Sequence, residues 1–175
     1  SLDNDIKKNI KLLAEAKNTR PDNLTACILK RPRHDDIVKS LKSLNVKINF
    51  ITDGDVSGAI SVAYPQTKID IYIGIGGGPE GVLAAAALKC LGCQMQTRLK
   101  FYNEDEKKRV KKLGIKDLNY KYSINDMVKG DVIFCATGVT DGDLVKGIKD
   151  LGDHFESETF ILHKSSNTNK IFKNK

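Results

Sequence analysis

The sequence predicts an α/β fold in which a mixed, mostly parallel sheet is flanked by helices. Three observations predict it. Short apolar runs rich in β-branched residues alternate with stretches of helical period. The apolar runs end in clusters of Gly, Asp, Pro or Arg that read as loops at strand ends. No Gly/Ser/Pro linker or low-complexity tract divides the 175 residues, so a single domain over 1–175 is expected.

The elements follow in order. Ile6, Ile10 and Leu13 share one face of a helix over about Asp3–Lys17. Pro21-Asp22-Asn23 is a turn, and Leu24–Leu29 is a strand that ends at Lys30-Arg31-Pro32-Arg33-His34. Asp35 and Asp36 open a helix whose Ile37, Leu41 and Leu44 form a stripe. Val46–Ile51 alternates as a strand and ends in Thr52-Asp53-Gly54-Asp55, before a short helix over Val56–Ala63. Ile69–Ile75 is the next strand, followed by a glycine cluster and a helix from Pro79 to Leu91. Met95–Lys100 is a further strand, Glu104–Leu113 a charged helix, and Val132–Ala136 a strand ending in Thr140-Asp141-Gly142-Asp143. Thr159–His163 and Lys170–Phe172 form a terminal hairpin.

Composition narrows the function classes. Hydrophobic residues make up 40% and charged residues 29%, ordinary for a globular chain and unlike a disordered or collagen-like one. The net charge of +7 comes from lysines scattered at helical spacings, which indicates a solvated surface and a mild preference for anionic partners. Aromatics are 6%, Trp is absent and no recognition motif occurs, so nucleic acid is not an expected partner. The longest apolar run, Gly81–Leu88, is far shorter than the roughly 20 residues of a membrane span. No signal-peptide pattern is expected, and the location is expected to be cytoplasmic. Cys27, Cys90, Cys93 and Cys135 are expected to be free thiols, three of them buried. Cys90-Leu-Gly-Cys93 lacks the second pair a zinc site needs, and it lies at a helix C-terminus rather than the N-terminus a redox motif uses.

In open α/β sheets ligands bind beyond the carboxyl ends of strands. Four such ends carry unusual chemistry here. Gly74-Ile75-Gly76-Gly77-Gly78-Pro79-Glu80-Gly81 follows a strand and opens a helix, so a ligand can approach the backbone and the helix N–H groups. Pro79 stands where a dinucleotide fingerprint needs Gly, and no Lys-Ser/Thr follows to make a P-loop. Glu80, in the first helical turn, would repel a phosphate unless a cation lay between them, which is how Mg²⁺ is commonly held; the competing reading is a Glu that satisfies the helix dipole. Asp53-Gly54-Asp55 suits sugar hydroxyls or a metal, or else caps the next helix. Arg31 and Arg33 flank a stiff Pro32 and suit phosphate oxygens, with two plain surface arginines as the alternative. Asp141 and Asp143 are better explained as a cap or turn than as ligands. No His-based triad or nucleophile elbow is visible.

These segments, Arg31-Pro32-Arg33-His34, Ile51-Thr52-Asp53-Gly54-Asp55-Val56, Gly74 through Ala87, and Ala136-Thr137-Gly138-Val139-Thr140-Asp141-Gly142-Asp143-Leu144, stand in the order and rough spacing of class II fructose-1,6-bisphosphatases. Some members of that family also hydrolyse sedoheptulose 1,7-bisphosphate. The resemblance spans essentially the whole chain. It implies a layered sugar-phosphatase-type fold with alternating helix and sheet layers, in a homo-oligomer when complete. It implies Mn²⁺- or Mg²⁺-dependent release of the 1-phosphate from fructose 1,6-bisphosphate, giving fructose 6-phosphate in gluconeogenesis and glycerol metabolism. It implies that Glu80 is a metal ligand, and that Arg31, Pro32, Arg33, Asp53, Gly54, Asp55 and Gly77 bind substrate. The family's acidic Asp-Pro-Ile/Leu-Glu-Gly-Thr segment does not occur in the chain. The resemblance therefore implies the C-terminal portion of such an enzyme, inactive without an N-terminal half, with no catalytic residue assigned within these residues. The alternative is a non-catalytic module that binds phosphorylated sugars.

Overall fold

The computed structural model describes residues 1–174. Nine strands and six α-helices form an α/β architecture whose parallel sheet is flanked by helices. The order is α1 (Ile6–Ala16), β1 (Thr25–Leu29), α2 (Asp35–Lys42), β2 (Lys47–Ile51), α3 (Asp55–Ser61), β3 (Ile71–Tyr72) and α4 (Gly78–Cys90). Then come β4 (Gln96–Arg98), α5 (Glu104–Lys112), β5 (Lys121–Ser123), α6 (Ile124–Met127), β6 (Ile133–Thr137), β7 (Lys149–Asp150), β8 (Phe155–His163) and β9 (Thr168–Asn174).

The first sheet is parallel in the order β2-β1-β3, with Cys27 facing Asn49 on one side and Tyr72 on the other. The crossovers supply its helices, as a parallel pair requires. The Asp5 carboxylate accepts from the Lys8 N–H at 2.7 Å and starts α1. The apolar stripe of α1 then meets that of α2 over the sheet: Ile10 and Ala14 are buried against Leu24, Ala26, Leu41 and Val46. Full burial of each Ile or Leu contributes about 1.5–3 kcal/mol. Asp70 fixes where β3 meets β1, because its carboxylate accepts from the Thr25 N–H at 2.7 Å and pairs with Lys17.

On the other side α3 packs on the sheet and against α4. The alanine-rich α4 is buried on two sides. Ala87 meets Ile60, Phe134, Phe160 and Leu162, while Ala85 and Leu88 meet Ile124. Phe134 and Phe160 stack edge to face at 6.3 Å. The elements therefore layer as α1 and α2, parallel sheet, α3 and α4, then a second sheet built from β6, β8, β7 and β9.

Beyond α4 the strands pair antiparallel, β4 with β5 and β8 with β6, β7 and β9, so the parallel pairing is confined to the first sheet. The terminal hairpin forms as expected but is longer, Phe155–His163 with Thr168–Asn174. The strand expected over Ile69–Ile75 keeps only Ile71–Tyr72 in the ladder, because Ile75 is held instead by side chains from the loop after β1. Three of the four cysteines are expected to be buried, but only Cys27 is: Cys90 and Cys93 are half-buried, and Cys135, opposite Ile161 on β6, is exposed. No described helix is long and apolar enough to cross a membrane.

Candidate functional site

The parallel order of β2, β1 and β3 places three predicted loops side by side beyond their carboxyl ends. After β1, Pro32 begins a short 3₁₀ turn over Pro32–His34 that leads directly into α2. The two arginines flanking Pro32 do different things. Arg31 donates from Nη1 to the Lys30 carbonyl at 3.0 Å and from Nη2 to the Thr52 carbonyl at 2.8 Å. Its fork staples the end of β1 to the end of β2. Arg33 donates only its Nε, to the Ile75 carbonyl at 2.8 Å, so its two terminal nitrogens stay available. That side chain is exposed.

The loop after β2 turns on Gly54, whose φ of +76° demands glycine and which forms the N-cap of α3. Asp53 accepts from the Gly54 N–H at 2.8 Å, and Asp55 Oδ1 accepts from the Val56 N–H at 2.9 Å. Neither acid caps α3, whose N-cap Gly54 receives no side-chain hydrogen bond; each carboxylate bonds only the N–H of the next residue. Asp55 Oδ2, however, faces the glycine loop: a Cβ added at Gly76 would lie 3.1 Å from it. Gly77 forms the N-cap of α4, and the Glu80 carboxylate folds back over it, so that a Cβ at Gly77 would collide with Glu80 Oε2. Glu80 is exposed, and its side chain has no hydrogen bond or ion pair among the described residues. Two carboxylates therefore border the same Gly76-Gly77 segment, one of them uncommitted.

Sequence reasoning missed two residues here. His34 is 1% exposed and bonds both the last residue of β1 and the glycine loop. A histidine is more often a satisfied core residue than a site residue, and only its position within the Arg-Pro-Arg-His loop hinted otherwise. Tyr72 lies under the same loops: burial, then the Asp55 and Cys27 groups, push its hydroxyl up, and Arg33 opposes them. Burial chiefly, with Asp143 adding to it, pushes the Cys27 thiol up to about 11. In the fourth loop Asp141 accepts from the Gly147 N–H at 3.0 Å, six residues farther along the chain. The thiols of Cys90 and Cys93 are also raised, by burial first, which argues against a redox role.

A concavity of about 420 Å³ adjoins the arginine loop, lined among others by Lys30, Arg31, Pro32, Asp35 and Phe50. Asp55, Gly77 and Glu80 lie outside it, Asp55 half-buried and the other two exposed. The oxygen donors near Gly77 suit a hard divalent ion such as Mg²⁺ or Mn²⁺. Their number does not: among the described residues no group of three or more His, Cys, Asp or Glu converges. Glu80 with Asp55 nearby does not by itself make a metal site.

The family model described as bacterial fructose-1,6-bisphosphatase, glpX-encoded, matches residues 1–175. The chain is 35% identical over 176 residues to the D-fructose 1,6-bisphosphatase class 2/sedoheptulose 1,7-bisphosphatase of Synechococcus sp. (strain JA-2-3B'a(2-13)), covering 93% of this chain and 50% of that protein. It is 37% identical over 177 residues to the fructose-1,6-bisphosphatase class 2 of Haemophilus influenzae (strain ATCC 51907 / DSM 11121 / KW20 / Rd), covering 93% of this chain and 53% of that one. The chain spans about half the length of the curated relatives it matches. It belongs to the bacterial, glpX-type class 2 fructose-1,6-bisphosphatase family.

Proposed function

We propose that this chain supplies the sugar-phosphate-binding loops and one metal ligand of a phosphatase that hydrolyses fructose 1,6-bisphosphate to fructose 6-phosphate and inorganic phosphate. The observation that carries the reading is the meeting of Arg33, Asp55, Gly76-Gly77 and the uncommitted Glu80 at one end of the parallel sheet. The names of its relatives support the substrate class.

In this reading the free Arg33 nitrogens bind the phosphate that is not cleaved, a geometry suited to paired oxygens. Asp53 and Asp55 accept hydrogen bonds from sugar hydroxyls. Gly77 carries no side chain, so the substrate can reach the first N–H groups of α4. Binding the remote end in this way orients the reacting phosphate, a contribution made through entropy rather than through bond-making. Mn²⁺ or Mg²⁺, when bound, activates water and screens phosphate charge. Glu80 offers one ligand to such an ion, and the remaining acids come from outside these loops. The 175 residues alone are therefore inactive.

The test is phosphate release from fructose 1,6-bisphosphate with Mn²⁺. The native protein carrying this sequence should turn over, and Arg33→Gln should raise KM more than it lowers kcat. Robust turnover by the 175-residue chain on its own would overturn the shared metal site. Binding of the sugar with no turnover by the native protein would favour a module without catalysis.

A further inference from the structure

His34 is one of two buried polar residues among the described residues, and nothing in the mechanism above uses it. Its ring is fixed at both nitrogens. Nδ1 lies 2.7 Å from the Leu29 carbonyl at the end of β1. Nε2 lies 2.8 Å from the Ile75 nitrogen and 3.1 Å from the Ile75 oxygen. A backbone N–H can only donate, so Nε2 accepts from Ile75, and Nδ1 carries the proton and donates to Leu29. The imidazole is thus a neutral strut between two strand ends.

The far side of the strut is equally specific. The ring rests on Gly74, where an added Cβ would sit 3.3 Å from both Cε1 and Nε2. The same Ile75 residue that donates its N–H to His34 offers its carbonyl to Arg33 Nε at 2.8 Å. Two consecutive residues of the loop after β1 therefore grip one residue of the glycine loop from both sides. The grip sets where the Arg33 fork points relative to Gly77 and Glu80. The other links between this segment and β1, the Asp70–Thr25 bonds, the short β3 ladder and the Ile73 N–H bond to Cys27, all lie on the strand side of Gly74.

We propose that His34 is a positioning residue that locks the arginine loop to the glycine loop and so presets the distance between the phosphate grip of Arg33 and the Gly77–Glu80 helix start. The proposal rests on the reading of these loops as a sugar-phosphate site. A displacement of about 1 Å at such a site can cost on the order of a hundredfold in rate. Loss of one buried hydrogen bond is felt at roughly the tenfold level.

The test is calorimetric titration of the native protein that carries this sequence with fructose 1,6-bisphosphate. Arg33→Gln comes first: if it binds as the wild type does, the site reading itself fails, whatever His34 does. With that reading standing, His34→Leu, which keeps the bulk but strands the Ile75 N–H, should weaken binding about tenfold or more while the protein stays folded. His34→Gln, whose carbonyl can still accept from Ile75, should recover part of the loss, which mere filling of volume would not do. Gly74→Ala pushes on the ring without removing a polar group. It should reproduce the defect, and it keeps the test open if the His34 variants do not fold. Combined with Arg33→Gln, each should add little, because all act through Ile75. Folded His34→Leu and Gly74→Ala proteins that bind as the wild type does, or losses that add in full to that of Arg33→Gln, would overturn the proposal. So would a ¹⁵N spectrum placing the His34 proton on Nε2.

Discussion

Gly58 marks where α3 comes closest to the parallel sheet, and Gly58→Ala measures how tightly Asp55 is held. The residue is buried, and an added Cβ would meet Ile51 Cδ1 at 2.6 Å and the Tyr72 ring at 2.9 Å. Ordinary carbon contacts lie near 3.5–4.0 Å, so something must move by about 1 Å. In an open helix the substitution would stabilise by about 1 kcal/mol through helix propensity. Overpacking costs about 1–3 kcal/mol, so the net expectation is a loss of about 1 kcal/mol. Ile51 Cδ1 is the movable partner. Ile51→Val removes that methyl and by itself costs about 0.5–1.5 kcal/mol. The double variant should therefore be more stable than the two single effects predict, by more than the ~0.5 kcal/mol scatter of independent sites. Urea unfolding of the four proteins is the assay. A Gly58→Ala protein more stable than the wild type, or a double variant that is simply additive, would refute this close approach.

Other outcomes follow from the same contacts. Asp70→Ala strands the Thr25 N–H at the start of β1 and should cost about 1–3 kcal/mol in the same unfolding assay. Asp3, bonded to Lys121 and Arg98, and Asp131, bonded to Ser165 and His163, are held well below the usual carboxylate range. The unfolded chain takes up those protons first, so stability should be intact at neutral pH and decline as pH falls through and below about 3.8. Acid titration of Asp3→Asn or Asp131→Asn should show a shallower decline, and an unchanged slope would count against these pairs. At pH 8, an aromatic disulfide reagent should modify the exposed Cys135 before the raised, buried Cys27, which should react only on unfolding. Equal rates in the native state would contradict the burial.

Much of the first half of the fold was legible because local signals and packing agree there. Ile37 and Leu41 share a helical stripe and pack into one core cluster, while the alternation over Val46–Ile51 located β2 even though its burial does not follow the alternation, Phe50 being exposed. Helix α6 carries a readable start signal in the sequence. Ser123 and Asp126 form a capping box in which the Ser123 side chain accepts from the Asp126 N–H, and Asp126 accepts from the Ser123 N–H at 2.8 Å. The two-residue strand β7 had none, because its partners, Glu156 and Phe155, are set by the path of β8 rather than by local sequence. At the site, the glycines, Asp55 and Glu80 were legible as residue types that permit close approach and offer oxygen. The division of labour between Arg31 and Arg33 was not, since a guanidinium bonded to carbonyls of Lys30 and Thr52 looks in sequence like any other arginine. His34 stayed hidden for the same reason: its partners are backbone groups, one of them at Ile75 some 41 residues away, and backbone groups leave no trace in composition.

In the proposed function an uncommitted Glu80 at the start of α4 meets a divalent ion beside a sugar phosphate. Mn²⁺ broadens the NMR signals of nuclei close to it, so the direct measurement is amide broadening by Mn²⁺ in the presence of fructose 1,6-bisphosphate. The account predicts broadening centred on residues 76–81, ligand-induced shifts at 31–33 and 53–55, and loss of the broadening in Glu80→Gln. Broadening centred elsewhere, or unchanged by Glu80→Gln, would contradict it.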